Sequence, residues 1–220
     1  MRKSKIMSAA QAVANIRDNQ TVMVGGFGRS GTPFALVQAL VESGRMGLTI
    51  ISNDLGSPRE GLGLLLNGGQ VSSLIGSFYN WNPEAIKAYN EGAIQVKLMP
   101  QGTFSESIRS AGAGIPAYYT LASAGTELGK DKETRIFNQR TYVLEEALRA
   151  DVALIEARVA DPLGNLVYCK TARNFNPLMA AAASYTIAQV QEIVELGALD
   201  PEVIVTPHVY VNAIVKEEHA

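Results

Sequence analysis

The sequence predicts an α/β protein: an open, mostly parallel sheet with helices on both faces and a small β excursion around residues 121–144. Three observations carry this. Short β-branched runs alternate with segments of helical period along most of the chain, the rhythm of a parallel sheet with crossover helices. The first of these runs leads directly into a glycine-rich turn and then a helix. Residues 121–142 lose the helical period, which marks a local departure from that rhythm.

The first unit reads as strand Thr21 to Val24, turn Gly25 to Gly31 and helix Pro33 to Ser43. Thr32 is placed to cap the helix, Pro33 suits its first position and Gly44 its end. Phe34, Val37, Leu40 and Val41 share one face, so this helix is expected to pack on the sheet. Next come strand Leu48 to Ser52, a turn at Asn53-Asp54 and a short helix around Glu60 to Leu66. Strand Val71 to Ile75 precedes a helix opened by Asn82-Pro83. Strand Ile94 to Met99 leads through the turn Pro100-Gln101-Gly102 to a helix from about Thr103 to Ser110. Beyond the glycine-rich stretch Ala111 to Pro116, Arg135 to Leu144 reads as a hairpin around Asn138-Gln139. Asp151 to Glu156 and Tyr185 to Gln189 are further strands, with a helix from Pro177 to about Ala183 between them. No repeat, low-complexity tract or linker interrupts the 220 residues, a length that suits one domain over 1–220.

Composition narrows the function classes. Hydrophobic residues make up 47% and charged residues 18%, the balance of a folded soluble chain. The net charge is −2 with no block of like charge, which argues against a nucleic-acid partner. Arg2, Lys3 and Lys5 read as a solvated tail, and no apolar window is long enough to span a membrane. Cys169 is the lone cysteine, so an intrachain disulfide is impossible; a structural thiol and a cytoplasmic location are expected. His208 and His219 have no sequence neighbours that suggest a triad or a metal site, and no metal is expected.

In open α/β sheets ligands bind outside the carboxyl ends of the strands, so the turns Gly25 to Gly31, Asn53-Asp54 and Gln101-Gly102 form the candidate site. Gly26-Phe27-Gly28-Arg29-Ser30-Gly31 matches the dinucleotide pattern G-x-G-x-x-G between a strand and a helix. Glycines there permit close backbone approach, and free amides at the helix start attract anions. Asp54 lies about where a ribose-binding acid belongs. On six residues an NAD site and a ligand-free tight turn are both open.

The wider string decides between them. Asp18 through Pro33, with the double glycine Gly25-Gly26, Phe27 and the closing Gly31-Thr32-Pro33, resembles the glycine signature of family I CoA-transferase alpha subunits. Pro100-Gln101-Gly102-Thr103 with Glu106, Ile108, Arg109 and Gly112 to Tyr118 resembles the family's second block. Ala150-Asp151, Ala153-Leu154-Ile155, Gly164-Asn165-Leu166 and Ala172 to Pro177 resemble the third, so the likeness runs in order along nearly the whole chain.

The resemblance implies a ping-pong enzyme. A glutamate attacks an acyl-CoA thioester to give an acyl-glutamyl anhydride, CoA thiolate returns to give a glutamyl-CoA thioester, and an acceptor acid reverses the steps. In the family that glutamate sits in a Ser-Glu-Asn-Gly motif of the beta subunit, and this sequence has no such motif. The nearest string, Ser105-Glu106-Ser107, reads instead as an ion pair of Glu106 with Arg109. A beta partner is therefore implied, in a heterotetramer or larger assembly, with coenzyme A as substrate and no permanently bound cofactor.

By the same resemblance Gly25, Gly26, Phe27, Gly28, Arg29, Ser30 and Gly31 bind CoA, while Asn53 and Gln101 support catalysis facing the reacting acyl group. Neutral amides suit that role, since they can stabilise an oxyanion without quenching an attacking carboxylate. From the residues alone, Asn53 reads as a turn former bonded to nearby backbone and Gln101 as a solvated turn residue. Arg173 to Pro177 reads as structural or interfacial, with Asn176 capping the helix that Pro177 begins and Phe175 stapling it. Two features depart from the family pattern: Arg29-Ser30 within the glycine loop, and a shorter stretch from Leu121 to Lys130. The acid could be acetate, acetoacetate, butyrate, succinate or 3-oxoadipate. The rival functions are an NAD-dependent oxidoreductase built on the glycine loop and a non-enzymatic sensor of acyl-CoA or sugar phosphate.

Overall fold

The computed structural model describes residues 4–217. Among them the main sheet has eight strands: β1 (Thr21–Val24), β2 (Leu48–Ile51), β3 (Val71–Gly76), β4 (Gln95–Leu98), β8 (Ala150–Ala160), β9 (Leu166–Val167), β10 (Ala183–Ile193) and β11 (Ala213–Lys216). Their order is β11-β10-β8-β1-β2-β3-β4, and β9 pairs antiparallel with β8 while every other pairing is parallel. The chain builds outward from β1 to β4 and then returns to the other side of β1. The strand order therefore reverses between β1 and β8, the place where such sheets open a crevice.

Strands buried on both faces read as continuous apolar runs, and β1 behaves so. Val22 and Val24 face a core shared with α1 (Ala9–Val13), α2 (Phe34–Glu42), α3 (Leu62–Asn67) and α4 (Pro83–Asn90). Met23 faces the opposite core, with Phe104 and Ile108 of α5 (Gln101–Gly112) and Met179 of α6 (Asn176–Ala182). Phe104 and Phe175 meet edge to face at 5.3 Å in that second core. Helices thus cover both faces, as the alternation of elements predicts.

The excursion is a separate antiparallel sheet of β5 (Ala117–Thr120), β6 (Thr134–Phe137) and β7 (Arg140–Glu146), in the order β5-β7-β6. Asn138 and Gln139 join β6 to β7 with φ of 48° and 61°, the left-handed pair a two-residue hairpin turn needs. The hairpin is thus where the sequence puts it, while β5 is an addition.

Several expectations need correction. Thr32 does not cap α2: its hydroxyl donates to Gly28 O at 2.9 Å, and Gln189 Oε1 accepts from Ala35 N and Leu36 N instead. Gln101 and Gly102 are not turn residues; α5 begins at Gln101, and Phe104 N→Pro100 O closes its first turn. Asn176 lies inside α6 rather than capping it. The segment at Lys5 is no solvated tail. Ile6 bridges Ile214 in parallel, and Lys5 Nζ donates to His208 O at 2.8 Å. Arg2, Lys3 and His219 lie outside the described residues. Sequence reading missed α1, although Ser8 and Gln11 form the reciprocal cap that signals such a start. It also missed β9 and β11 and shortened β8 and β10, because their extent is set by pairing with one another.

Candidate functional site

The candidate site residues lie at the carboxyl ends of β1, β2 and β4. β1 runs into the glycine loop, β2 into Asn53-Asp54, and β4 into Pro100 and the start of α5. An open cavity of about 900 Å³ lies among them, lined on one side by Phe27, Gly28 and Arg29, on the floor by Asn53, Asp54 and Gln101, and on the far wall by Phe78, Tyr79 and Trp81. Phe78 and Trp81 meet edge to face at 5.3 Å, and Trp81 stands 78% exposed at the rim.

Close packing shapes the glycine loop before any ligand does. A Cβ on Gly25 would lie 1.8 Å from Asn176 Oδ1, so no larger residue fits. Asn176, 0% exposed, fills the crevice between β1 and β8: its Oδ1 accepts from Glu156 N and its Nδ2 donates to Gly31 O and Ala172 O, all at 3.0 Å. Gly28 differs. Its φ is +58° and no atom lies within 4 Å of where a Cβ would stand, so conformation and not space selects glycine there.

Most of the loop amides are already paired rather than open to an anion, contrary to expectation. Gly26 N donates to Asn174 Oδ1, Phe27 N and Ser30 N pair with each other's carbonyls, and Gly28 N donates to Asp54 Oδ2. The start of α5 is the better electropositive point. No side chain caps it, so the amides at Gln101, Gly102 and Thr103 have no partner within the helix and carry the positive end of its dipole.

Asn53 is 1% exposed, and its bonds fix its orientation. Asp54 Oδ2 can only accept, so the Asn53 amide nitrogen, 2.8 Å away, must face it. Asn53 Oδ1 is then turned to Gln101 Nε2 at 2.7 Å. The structure brings both amides predicted to face the acyl group to one place; Asn53 is buried, whereas Gln101 is exposed and gives one of its two Nε2 N–H groups to Asn53, which leaves the second for a ligand. Tyr79 OH donates to Ser52 O beneath this floor at 3.1 Å; burial, reinforced by the Asp54 charge, pushes its phenol far above the ordinary range and keeps it a donor.

Two acids line the cavity, and both are engaged. Asp54 holds the amides of Gly28 and Gly56, and Glu60 pairs with Arg29, which also lies over the Phe34 ring at 5.3 Å. Glu106 binds Arg109 through two bonds of 2.8 and 2.6 Å on the surface of α5, as its spacing predicts, and that bond holds its carboxyl below the usual range. Phe27, Gly28 and Arg29 line the cavity, whereas Gly25, Gly26 and Gly31, all buried, and Ser30, which is exposed, do not. His208 is tied through its backbone to Asn165 and Lys5, and Cys169 is half-buried. Among the described residues no group of His, Cys, Asp and Glu is arranged to hold a metal, and no helix is long and apolar enough to cross a membrane. The rim aromatics Phe78 and Trp81 escaped sequence reading. The Asp54-x-Gly56 turn was a signal that could have revealed Asp54 as an anchor.

The chain belongs to the coenzyme A transferase family, whose model matches residues 6–217. More particularly, its relatives are the A or alpha subunits of such enzymes. It is 50% identical over 200 residues to the A subunit of the succinyl-CoA:3-ketoacid coenzyme A transferase of Xanthomonas campestris pv. campestris (strain B100), covering 91% of this chain and 83% of that one. It is 43% identical over 218 residues to the alpha subunit of the acetate CoA-transferase of Escherichia coli (strain K12), covering 99% of both. An acyl-CoA transferase of Escherichia coli O157:H7, solved as a thioester complex with CoA, superposes with a TM-score of 0.87 at 22% identity over 98% of this chain. This chain spans about half of that longer one, at 47%. The dinucleotide reading of the glycine loop gives way to this family, and the geometry supplies a local reason: the Asp54 carboxylate is spent on backbone amides and not presented to a ribose.

Proposed function

We propose that this chain is the alpha subunit of a heteromeric, cytoplasmic CoA-transferase that moves CoA between an acyl-CoA and a short-chain carboxylic or 3-oxo acid, with a beta subunit supplying the nucleophilic glutamate. One observation carries the reading: the cavity offers an oxyanion-stabilising corner, while both carboxylates that line it are already engaged. Gln101 and the uncapped start of α5 supply the donors, while Asp54 and Glu60 are already committed. The attacking group must therefore arrive through the open side.

In the proposed first step the partner's carboxylate oxygen adds to the thioester carbonyl. The new C–O bond forms, the C–S bond breaks, and CoA thiolate leaves an anhydride. The thiolate then adds to the glutamyl carbonyl and expels the donor acid as its carboxylate. Each addition places negative charge on a carbonyl oxygen, which donors fixed beforehand stabilise most. Phe27, Gly28 and Arg29 border the path the CoA chain takes to that corner. The relatives' names point to different acids, a 3-ketoacid in one and acetate in the other, so the acid is open within the short-chain class.

Co-expression with a beta subunit carrying Ser-Glu-Asn-Gly, followed by transfer assays over a panel of acyl-CoA donors and acids, tests this. The isolated chain should show no transfer and the complex should. Robust turnover by the chain alone, or an assembled complex without turnover on any short-chain pair, would overturn the reading.

A further inference from the structure

Three N–H donors from two strand-end loops meet at one carboxylate. Asp54 Oδ2 accepts from Gly28 N at 3.0 Å and from Asn53 Nδ2 at 2.8 Å, and Asp54 Oδ1 accepts from Gly56 N at 2.9 Å. Asn53 passes the constraint on, because its Oδ1 holds Gln101 Nε2 at 2.7 Å. The chain Gly28–Asp54–Asn53–Gln101 thus joins the loop after β1, the loop after β2 and the helix after β4. Gly28 has little else to fix it: it sits at φ +58° with no neighbour near its Cα substituent position, and its carbonyl is held by Thr32 Oγ1 at 2.9 Å.

From this connectivity we infer that Asp54 is a positioning residue for the transfer reaction, which aims Gln101 and ties that aim to the glycine loop; the inference rests on the transferase reading above. The chemistry requires an acid. Three N–H donors converge on the side chain, and a carboxylate has two accepting oxygens to serve them. An amide at position 54 has one accepting oxygen, so at least one donor meets an NH2 group. An asparagine with its oxygen toward Gly28 and Asn53 would strand only Gly56 N, so alanine, which removes both accepting oxygens, is the substitution that breaks the link. With no acceptor at position 54 Asn53 can rotate, and Gln101 no longer has a fixed acceptor for one N–H and a fixed direction for the other. Misplacing a reacting group by about 1 Å can cost about 100-fold in rate.

The test has two arms on Asp54→Ala. In the isolated chain labelled with 15N, the Gln101 side-chain amide pair, assigned by its disappearance in Gln101→Ala, should be dispersed and slow to exchange. In Asp54→Ala it should move to solvent-like shifts while resonances elsewhere stay dispersed. This arm needs no partner and no activity, so it separates failure of the inference from failure of the transferase reading, which would show as an inactive wild-type complex. In the active complex, Asp54→Ala should lower kcat about 10- to 100-fold. Placed on Gln101→Ala, itself expected to cost about 100- to 1,000-fold, it should lower kcat no further than about threefold, since both act through one group. A merely structural Asp54 predicts additive losses. If Asp54→Ala does not fold, Asn53→Ser breaks the same chain one link on and should give the same two results. An unchanged Gln101 amide signature, or equal kcat losses in the two backgrounds, overturns the inference.

Discussion

Asn176 distinguishes two accounts of the Arg173 to Pro177 motif by magnitude. A helix cap replaced by alanine costs typically about 1 kcal/mol. The structure asks more of this side chain. It is fully buried between the ends of β1 and β8, accepts from Glu156 N and donates to Gly31 O and Ala172 O. Asn176→Ala leaves Ala172 O its second donor, Asn174 Nδ2, but strips the partner from Glu156 N and Gly31 O. A buried backbone group left unpaired costs about 1–3 kcal/mol, so two give roughly 4 kcal/mol. For a chain of this size about 2–4 °C of Tm accompanies each kcal/mol, which predicts a fall of about 8–16 °C in calorimetry, against about 2–4 °C for a lost cap. Asn176→Ser sharpens the contrast, because serine restores a cap but cannot span from Glu156 to Gly31. It should remain nearly as unstable as alanine. A Tm within about 4 °C of wild type for Asn176→Ala, or full rescue by serine, refutes the view that this residue plugs the crevice and fixes the glycine loop.

Two further outcomes are expected. Gly28→Val should raise the KM for acyl-CoA in the active complex about 5- to 30-fold, the equivalent of about 1–2 kcal/mol for a β-branched residue forced to positive φ, while Gly28→Asn, which tolerates that region, should stay within about threefold of wild type; equal KM values for all three would show that the loop is only a turn. Glu156 has its carboxyl pushed up to about 7, first by burial and then by the charge of Glu217, with Gln191 partly opposing. Its folded-state value exceeds the unfolded value of about 4.3, so the stability it confers is full below about pH 4.3 and is lost as pH rises through about 7. Glu156→Gln should therefore raise Tm relative to wild type at pH 8 and change it little at pH 4.5. A Tm difference independent of pH would show that Glu156 does not titrate in this range.

The regular parts of the fold were legible because local chemistry specifies them. Asn82 caps α4 through Ala85 N with Pro83 at its first position, as the Asn-Pro pair announces. Asn138-Gln139 makes the hairpin turn. The glycine loop and Asn53 were also legible as strand-end turns, whereas Gln101 begins α5 rather than a turn. Where the local signal was ambiguous, the expectation failed in a consistent way. Asn53 and Asn176 are residue types that cap helices or turn the chain on themselves, and each instead reaches a partner brought near by folding, Gln101 and the end of β8; Thr32 bonds locally, to Gly28 O four residues back, rather than capping α2.

The sequence by itself determined the alternation of strands and helices, the carboxyl-end placement of the candidate site residues and the membership of a transferase family, because backbone propensity, apolar periodicity and motif order are all local or linear properties. Only the tertiary structure decided that β1 lies between β2 and β8, that Asn176 fills the crevice this creates, and that Asp54 joins Gly28 to Gln101 through Asn53. Apart from the adjacent pair Asn53–Asp54, those contacts link residues 20 to 145 positions apart. A polar side chain's partner is chosen by which buried donors and acceptors remain unpaired once the strands have met, and no local pattern encodes that choice.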